Sequence, residues 1–440
     1  MEKKSISFYT ATAVVISNMI GTGVFTSLGY QVMGIKSGFA LLLLWLIGGA
    51  AALLGALCYG ELGAALPRSG GEYNYLSKIF HPALGFLSGW VSATVGFAAP
   101  VAAASMAFAD YLKKGGDLSP VLMGGTDISS GLFAAVIIIL VSCIHFLKVK
   151  IGSRFQNIFT AISIVTILII VINGLLTGHT GDADFTPNHA ALHEILSSSF
   201  AISFFFVTFA YSGWNAAAYI AGEMENVQEN LPKALLRGTA FVTFLYFLLN
   251  FVFLYTTPLA EMEGKKEVGF VAATYIFGTV GGKIMALIIA IKLISTISSM
   301  TLAGPRIISV MGEDFPLFKK LAQKNKYEVP AYAILVQSVI ALVFVFTSTF
   351  DQVITFIGFT LNLFTFMTVA GLIVLRIKQP DLPRPFKTPF YPFTPIVFMV
   401  ISLWLIYFGI ADKPLVSLAA IATVLSGLIF YYFGKRAIAP

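Results

Sequence analysis

Two stretches of this 440-residue chain place small and polar residues where an uninterrupted apolar helix would be expected. The first reads Ser17-Asn18-Met19-Ile20-Gly21-Thr22-Gly23-Val24-Phe25 and the second Phe209-Ala210-Tyr211-Ser212-Gly213-Trp214-Asn215. A glycine inside a helix costs about 1 kcal/mol relative to alanine and lets the backbone unwind. A helix restarting near Thr22 would aim free N–H groups and its positive dipole end at the gap, which suits a carboxylate. A helix stopping near Ile20, or between Phe209 and Ser212, would leave free carbonyls, which suit an ammonium. One site with both would fit the zwitterionic head of an α-amino acid. Either glycine pair alone reads better as a close helix–helix contact. Two breaks at corresponding positions, the second followed by an acidic end, shift the reading toward a site.

Elements that could hold such breaks follow from composition. Hydrophobic residues make up 57% of the chain and charged residues 11%, against about a quarter charged in soluble domains. Twelve membrane helices of about 20 residues each would use nearly all of the apolar positions. A soluble globule, a disordered chain, a collagen-like chain and a disulfide-stapled secreted chain are excluded. The apolar runs are too long for the alternating strands of an outer-membrane barrel. The expected class is an all-α polytopic membrane protein. Its spans are predicted at 7–33, 37–66, 82–111, 130–147, 153–177, 194–222, 236–257, 281–312, 330–348, 352–376, 391–410 and 414–433, with a short surface helix at 267–278. The longest polar connections, 178–193, 313–329 and 377–390, are too short to fold alone, so 1–440 reads as one domain. The interrupted spans are the first and the sixth. Interrupted hydrophobic segments at matching positions of two halves point to a transporter's substrate site.

The net charge of +7 reads as topology. With the N-terminus inside, 20 of the 28 lysines and arginines fall on the inner side, seven fall outside, and Lys292 falls within the eighth span. That bias predicts cytoplasmic N- and C-termini in a cell (inner or plasma) membrane, and no nucleic-acid partner is needed to explain the charge. The two cysteines, Cys58 and Cys143, read as separate buried thiols. No cleavable signal peptide is evident.

These residues resemble the amino acid–polyamine–organocation superfamily of transporters, most closely its L-type amino acid transporter branch, in a bacterial form. The resemblance is carried by Ile20 to Phe25, by Gly60-Glu61-Leu62-Gly63 through Pro67-Arg68-Ser69-Gly70-Gly71-Glu72-Tyr73, by Phe209 to Asn215 continuing into Gly222-Glu223 and Asn230-Leu231-Pro232, and by Gly304-Pro305-Arg306. The Pro-Arg-Pro-Phe-Lys run from Pro383 is also similar. It implies a leucine-transporter-type fold: two inverted five-helix repeats (7–177 and 194–376), two further helices (391–433), and discontinuous helices 1 and 6. It implies alternating access to a mid-membrane site, without cofactor or enzymatic activity. Gly21, Thr22 and Gly23 would bind the substrate carboxylate, and Ile20, Phe209, Ala210 and Ser212 would offer carbonyls to its amino group. The Phe209 ring would act as a gate, and Asn215 and Asn362 would lie near the site. A helix–helix hydrogen bond is an equal reading of Asn362.

Departures from the family pattern bear on coupling. Many relatives carry a lysine in the fifth span where this chain has Ser163, whereas Lys292 stands half-way through the eighth span. An ionisable group at that depth is a functional candidate, or else bridges backbone carbonyls at a helix break. Two coupling schemes follow. Lys292 supplies a fixed or titrating charge without sodium, or Ser298 and Ser299, with carbonyls of the first span, hold Na+ near Ser163. No other metal site is expected.

The 21 acidic residues sit at span ends or in loops, Glu61, Glu72, Asp110, Glu223 and Glu225 among them. With no acid at mid-depth and no arginine there, neutral L-α-amino acids are the expected substrates of an exchanger. The alternatives are a sodium- or proton-coupled symporter and a cationic amino acid or polyamine permease. Heteromeric relatives join a heavy chain through a cysteine in the loop after span three; the loop Leu112 to Ser129 has none, so no disulfide-linked heavy chain is expected. A membrane enzyme would need convergent catalytic groups, yet His81, His145, His179, His189 and His193 lie at span ends or in loops. A channel or sensor on the same fold remains a rival.

Overall fold

The computed structural model describes residues 6–116, 128–146, 149–326 and 329–436, so most of the loop expected to lack a bridging cysteine lies outside the described residues. The described chain is helical, with two isolated bridges, Ile6 to Met224 and Ser37 to Asp184, and no longer strand among the described residues. The helices are α1 (Phe8–Met19), α2 (Gly23–Gln31), α3 (Gly38–Ala65), α4 (Glu72–Ile79), α5 (Pro82–Val91), α6 (Ala98–Gly116), α7 (Ile128–His145), α8 (Val149–Thr177) and α9 (His189–Ile195). They continue as α10 (Ser198–Tyr211), α11 (Val227–Thr256), α12 (Leu259–Met262), α13 (Val268–Asp314), α14 (Ala331–Thr347), α15 (Phe350–Lys378), α16 (Phe393–Asp412) and α17 (Pro414–Arg436).

Polar residues set the starts of several helices. The side chains of Ser7, Ser37, Asn188 and Ser197 accept from the first turns of α1, α3, α9 and α10, each satisfying one of the N–H groups a helix start leaves free. Thr349 and Gln352 form a reciprocal capping box on α15. Large apolar side chains on α7, α8, α14, α16 and α17 point outward, among them Leu140, Ile172, Phe346, Leu403 and Leu418. Such a surface is stable only against another apolar phase.

Among the described residues, nine helical stretches are long and apolar enough to cross a membrane, or ten if α9 and the stretch Ser198–Glu223, bent from it by 66°, count as one. Two shorter apolar helices, Ser130–His145 and Ala331–Thr347, stand at the predicted fourth and ninth spans. The short helix predicted at 267–278 is present as the opening of α13: it is set off from the rest at Gly278, whose φ of +73° makes the bend, and it rests on the protein through the buried Val268, Ala272 and Ala273. A hydropathy pattern registers the polar boundary there but not the tertiary contact. Features without an expectation include the short helices α4 and α12, a π-helical turn at Ser92–Gly96 between α5 and α6, and a 3-10 helix at Pro316–Ala322.

The core is organised by two pairings, α13 along α6 and α3 along α11, with α1 lying on α11. Between them α2 packs on α10. This contact brings the two interrupted stretches together.

Candidate functional site

Both expected breaks are present. α1 stops at Met19, Ile20 adopts φ −69° and ψ 78°, and α2 restarts at Gly23. α10 stops at Tyr211, Ser212 is extended, Gly213 takes φ +93°, and a 3-10 helix runs over Ala216–Glu223. The positive φ at Gly213 is a conformation that side chains with a Cβ rarely adopt.

The breaks touch. A Cβ on Gly23 would stand 2.6 Å from the Ala210 Cβ and 3.0 Å from its nitrogen, and one on Gly213 would meet the Asn18 backbone at 2.9 Å. Glycine at these positions is what allows two unwound backbones to lie side by side. Ser27 extends the contact by donating to the Phe206 carbonyl at 3.2 Å. The Tyr246 hydroxyl, from α11, donates to both Met19 O and Ala210 O, clasping the two breaks.

A small pocket of about 20 Å³ lies between them, lined by Gly21, Thr22, Gly23, Phe209, Ala210 and Ser212, with Thr296 across from them. Six of the nine residues expected to bind substrate therefore converge. Thr22 lines this pocket, and its Oγ1 is buried and has no hydrogen-bond partner among the described residues. Ile20 is buried but lines neither this pocket nor the large cavity beside it. Two of the carbonyls expected to face an ammonium already accept: Phe209 O from Ser212 N–H at 3.0 Å, and Ala210 O from Tyr246. Each keeps a second lone pair.

The large cavity, about 1650 Å³, leads from the breaks to one surface. Asn18, Phe209, Ser212, Asn215 and Asn362 line its inner end, and the exposed Arg68, Glu223, Arg306, Glu313 and Lys324 its mouth. Asn362 also donates to Ser402 O at 2.9 Å, the helix–helix bond that sequence reading left open. Asn215 donates to the Glu72 carboxylate at 2.6 Å.

Lys292 is buried on α13 and lines neither pocket itself. Its ammonium donates to Gly21 O at 2.7 Å and lies 5.1 Å from the centre of the Phe25 ring. It therefore bridges a backbone carbonyl at the first break, one of the two readings held for it, with a cation–π contact beside it. Ser298 binds His145 Nε2 at 2.8 Å and Ser299 donates to Thr296 O at 3.0 Å. Ser163 is buried.

Sequence reading missed Glu72. It was placed with the acids at span ends, yet it is buried and lines the large cavity. Gly70 and Gly71, both at positive φ, turn the chain back immediately into α4, so that its first residue points inward. Consecutive glycines before an acidic residue were the available signal. Tyr246 and His145 gave none; their partners are distant in sequence.

Residues 6–431 match the amino acid permease family model. The chain is 29% identical to the b(0,+)-type amino acid transporter 1 of Mus musculus over 98% of this chain and 88% of that protein. It is 28% identical to the large neutral amino acids transporter small subunit 2 of Homo sapiens, over 98% and 80%. It is also 28% identical to the serine/threonine exchanger SteT of Bacillus subtilis, over 99% and 97%.

Proposed function

Since the chain belongs to the amino acid permease family, a family of membrane transporters rather than enzymes, we propose that it exchanges neutral L-α-amino acids across a cell membrane by alternating access. The observation that carries this reading is the side-by-side contact of two helix breaks, with Thr22, whose hydroxyl has no partner among the described residues, lining the pocket between them. In this reading the N–H groups of Gly21, Thr22 and Gly23 take the carboxylate at the start of α2. Carbonyls at Ile20, Phe209, Ala210 and Ser212 take the ammonium. Asn215 and Asn362 line the way out.

In this reading the nine long stretches, the bent pair and the two shorter helices serve as twelve spans, arranged as two inverted five-helix repeats plus two helices, with both termini cytoplasmic. The cavity then opens to the cytoplasm, since its mouth bears the basic residues assigned to that side. A single chain without a disulfide-linked heavy chain is expected to be sufficient.

Lys292 supports sodium-independent exchange. Its ammonium already holds a carbonyl of the first break, the kind of group a sodium ion held with Ser298 and Ser299 would use, and Ser298 is engaged by His145. Counterflow in proteoliposomes decides. The purified chain, loaded with L-serine or L-alanine, is expected to accumulate labelled L-serine equally in sodium and in choline. Loss of uptake in choline would favour a sodium symporter. Stimulation by internal arginine would favour a cationic permease, and no stimulation by any internal amino acid would favour a channel.

A further inference from the structure

Glu72 is a carboxylate buried in the wall of the large cavity, 4% exposed. One oxygen is fully engaged: Oε1 accepts the Tyr59 hydroxyl at 2.8 Å and the Asn215 amide at 2.6 Å. The other, Oε2, is equally buried and has no hydrogen-bond partner among the described residues. Nor does a lysine or arginine pair with Glu72 among them; Arg68, in the same cavity, pairs with Asp314 instead. Aromatic groups surround it. Tyr59 packs edge-on against both Tyr75 and Trp214, and the Tyr219 hydroxyl lies beside Asn215 and close to the Glu72 carboxylate in the same wall.

A buried carboxylate without a positive partner is costly. Structural carboxylates in this chain are answered differently: Glu61 is held by Arg376, Arg384 and the Thr388 N–H. Glu72 is instead surrounded by neutral groups, with two donors at one oxygen and the Tyr219 hydroxyl nearby, while the other oxygen accepts no hydrogen bond among the described residues, an arrangement that orients a charge for something that arrives. Its link to the substrate site is short. Asn215 follows Ser212 by three residues in the second break, and both line the cavity.

We propose that Glu72 is a second ammonium-binding station: its free oxygen takes the α-ammonium of the amino acid as it passes between the helix breaks and the cavity mouth. The idea rests on the proposed transport function. It adds a site on one side of the membrane only, because Glu72 lines the cavity that opens to one surface. Binding needs no proton transfer. The ammonium exchanges the carbonyls of the break for the carboxylate of Glu72, and Tyr59 and Asn215 keep that carboxylate in place.

The test uses right-side-out and inside-out membrane vesicles carrying the full chain, with labelled L-serine as probe. Wild-type uptake in both orientations establishes transport; its absence in both would fail the proposed function and this inference with it. Given that uptake, Glu72→Gln keeps the shape and removes the charge. Its half-saturating L-serine concentration is expected to rise roughly tenfold in the orientation that presents the cavity mouth, the loss of one charge-assisted hydrogen bond. In the other orientation it stays at the wild-type value. Glu72→Asp, which keeps the charge but withdraws it, is expected to give a smaller rise on the same side. An equal loss on both sides would mean a structural role and overturn the proposal. So would unchanged kinetics, or an effect seen only as lost response to a pH gradient, which would make Glu72 a proton carrier.

Discussion

Replacing Gly23 by alanine adds one methyl group at the point where the two breaks meet. Carbon atoms pack best at about 3.5–4.0 Å, yet this Cβ would stand 2.6 Å from the Ala210 Cβ and closer still to its Cα. The obstacle is backbone on a second element, so no side chain can swing away. The breaks must separate by about an ångström, enough to disturb the small pocket between them. Overpacking of this kind costs about 1–3 kcal/mol, which corresponds to a weakening of substrate binding by about five- to 150-fold. Gly131 on α7 is the matched control, since a Cβ there meets only the edge of the Phe346 ring at 3.5 Å. Half-saturation of L-serine counterflow, measured for both variants, checks the argument. Gly23→Ala is expected to lose affinity, and Gly131→Ala to match wild type. Equal behaviour of the two variants would refute the reasoning, because the close approach of the breaks would then not matter to the site.

Two further outcomes follow from buried charge. Lys292→Met keeps the apolar stem and leaves Gly21 O without its ammonium donor; a hydrogen bond to a charged group contributes about 1.5–3 kcal/mol, so counterflow is expected to fall at least about tenfold, with sodium failing to restore it. Glu61→Gln breaks the buried pair with Arg376 and Arg384 that ties α3 to the end of α15 and the segment after it. Losing one partner of such a pair costs about 3–5 kcal/mol, so the thermal midpoint of the purified chain in detergent should drop by several degrees, whereas Arg376→Lys should recover only part of it because Arg376 binds Glu61 through two nitrogens.

The two breaks could be read from the chain because glycine in an apolar run is a local signal, and the structure places them within a residue or two of Gly21 and Ser212. The depth of Lys292 was equally local. Its partner was not: the bond to Gly21 O joins residues far apart in sequence, and only packing of α13 against the first break decides between a free charge and a bridging one. Glu72 shows the other limit. Position relative to the apolar runs put it at a span end, but the turn at Gly70 and Gly71 and the partners Tyr59 and Asn215 carry it into the cavity wall. The absence of acids from mid-span therefore described the helices correctly and the cavity incompletely. The helix at 267–278 was legible as an element but not in its packing. Its polar flanks mark a boundary, whereas its burial comes from neighbours that a hydropathy pattern does not contain.

The central claim is that the paired breaks hold the head group of a neutral amino acid and hand it across the membrane in exchange for another. Counterflow of labelled L-serine into proteoliposomes of the purified chain, with competing amino acids outside, tests it most directly. Accumulation is expected only when L-serine or another neutral amino acid is inside, unchanged when choline replaces sodium, and suppressed by external L-alanine but not by arginine or glutamate. Strong competition by arginine, or uptake indifferent to what lies inside, would contradict it.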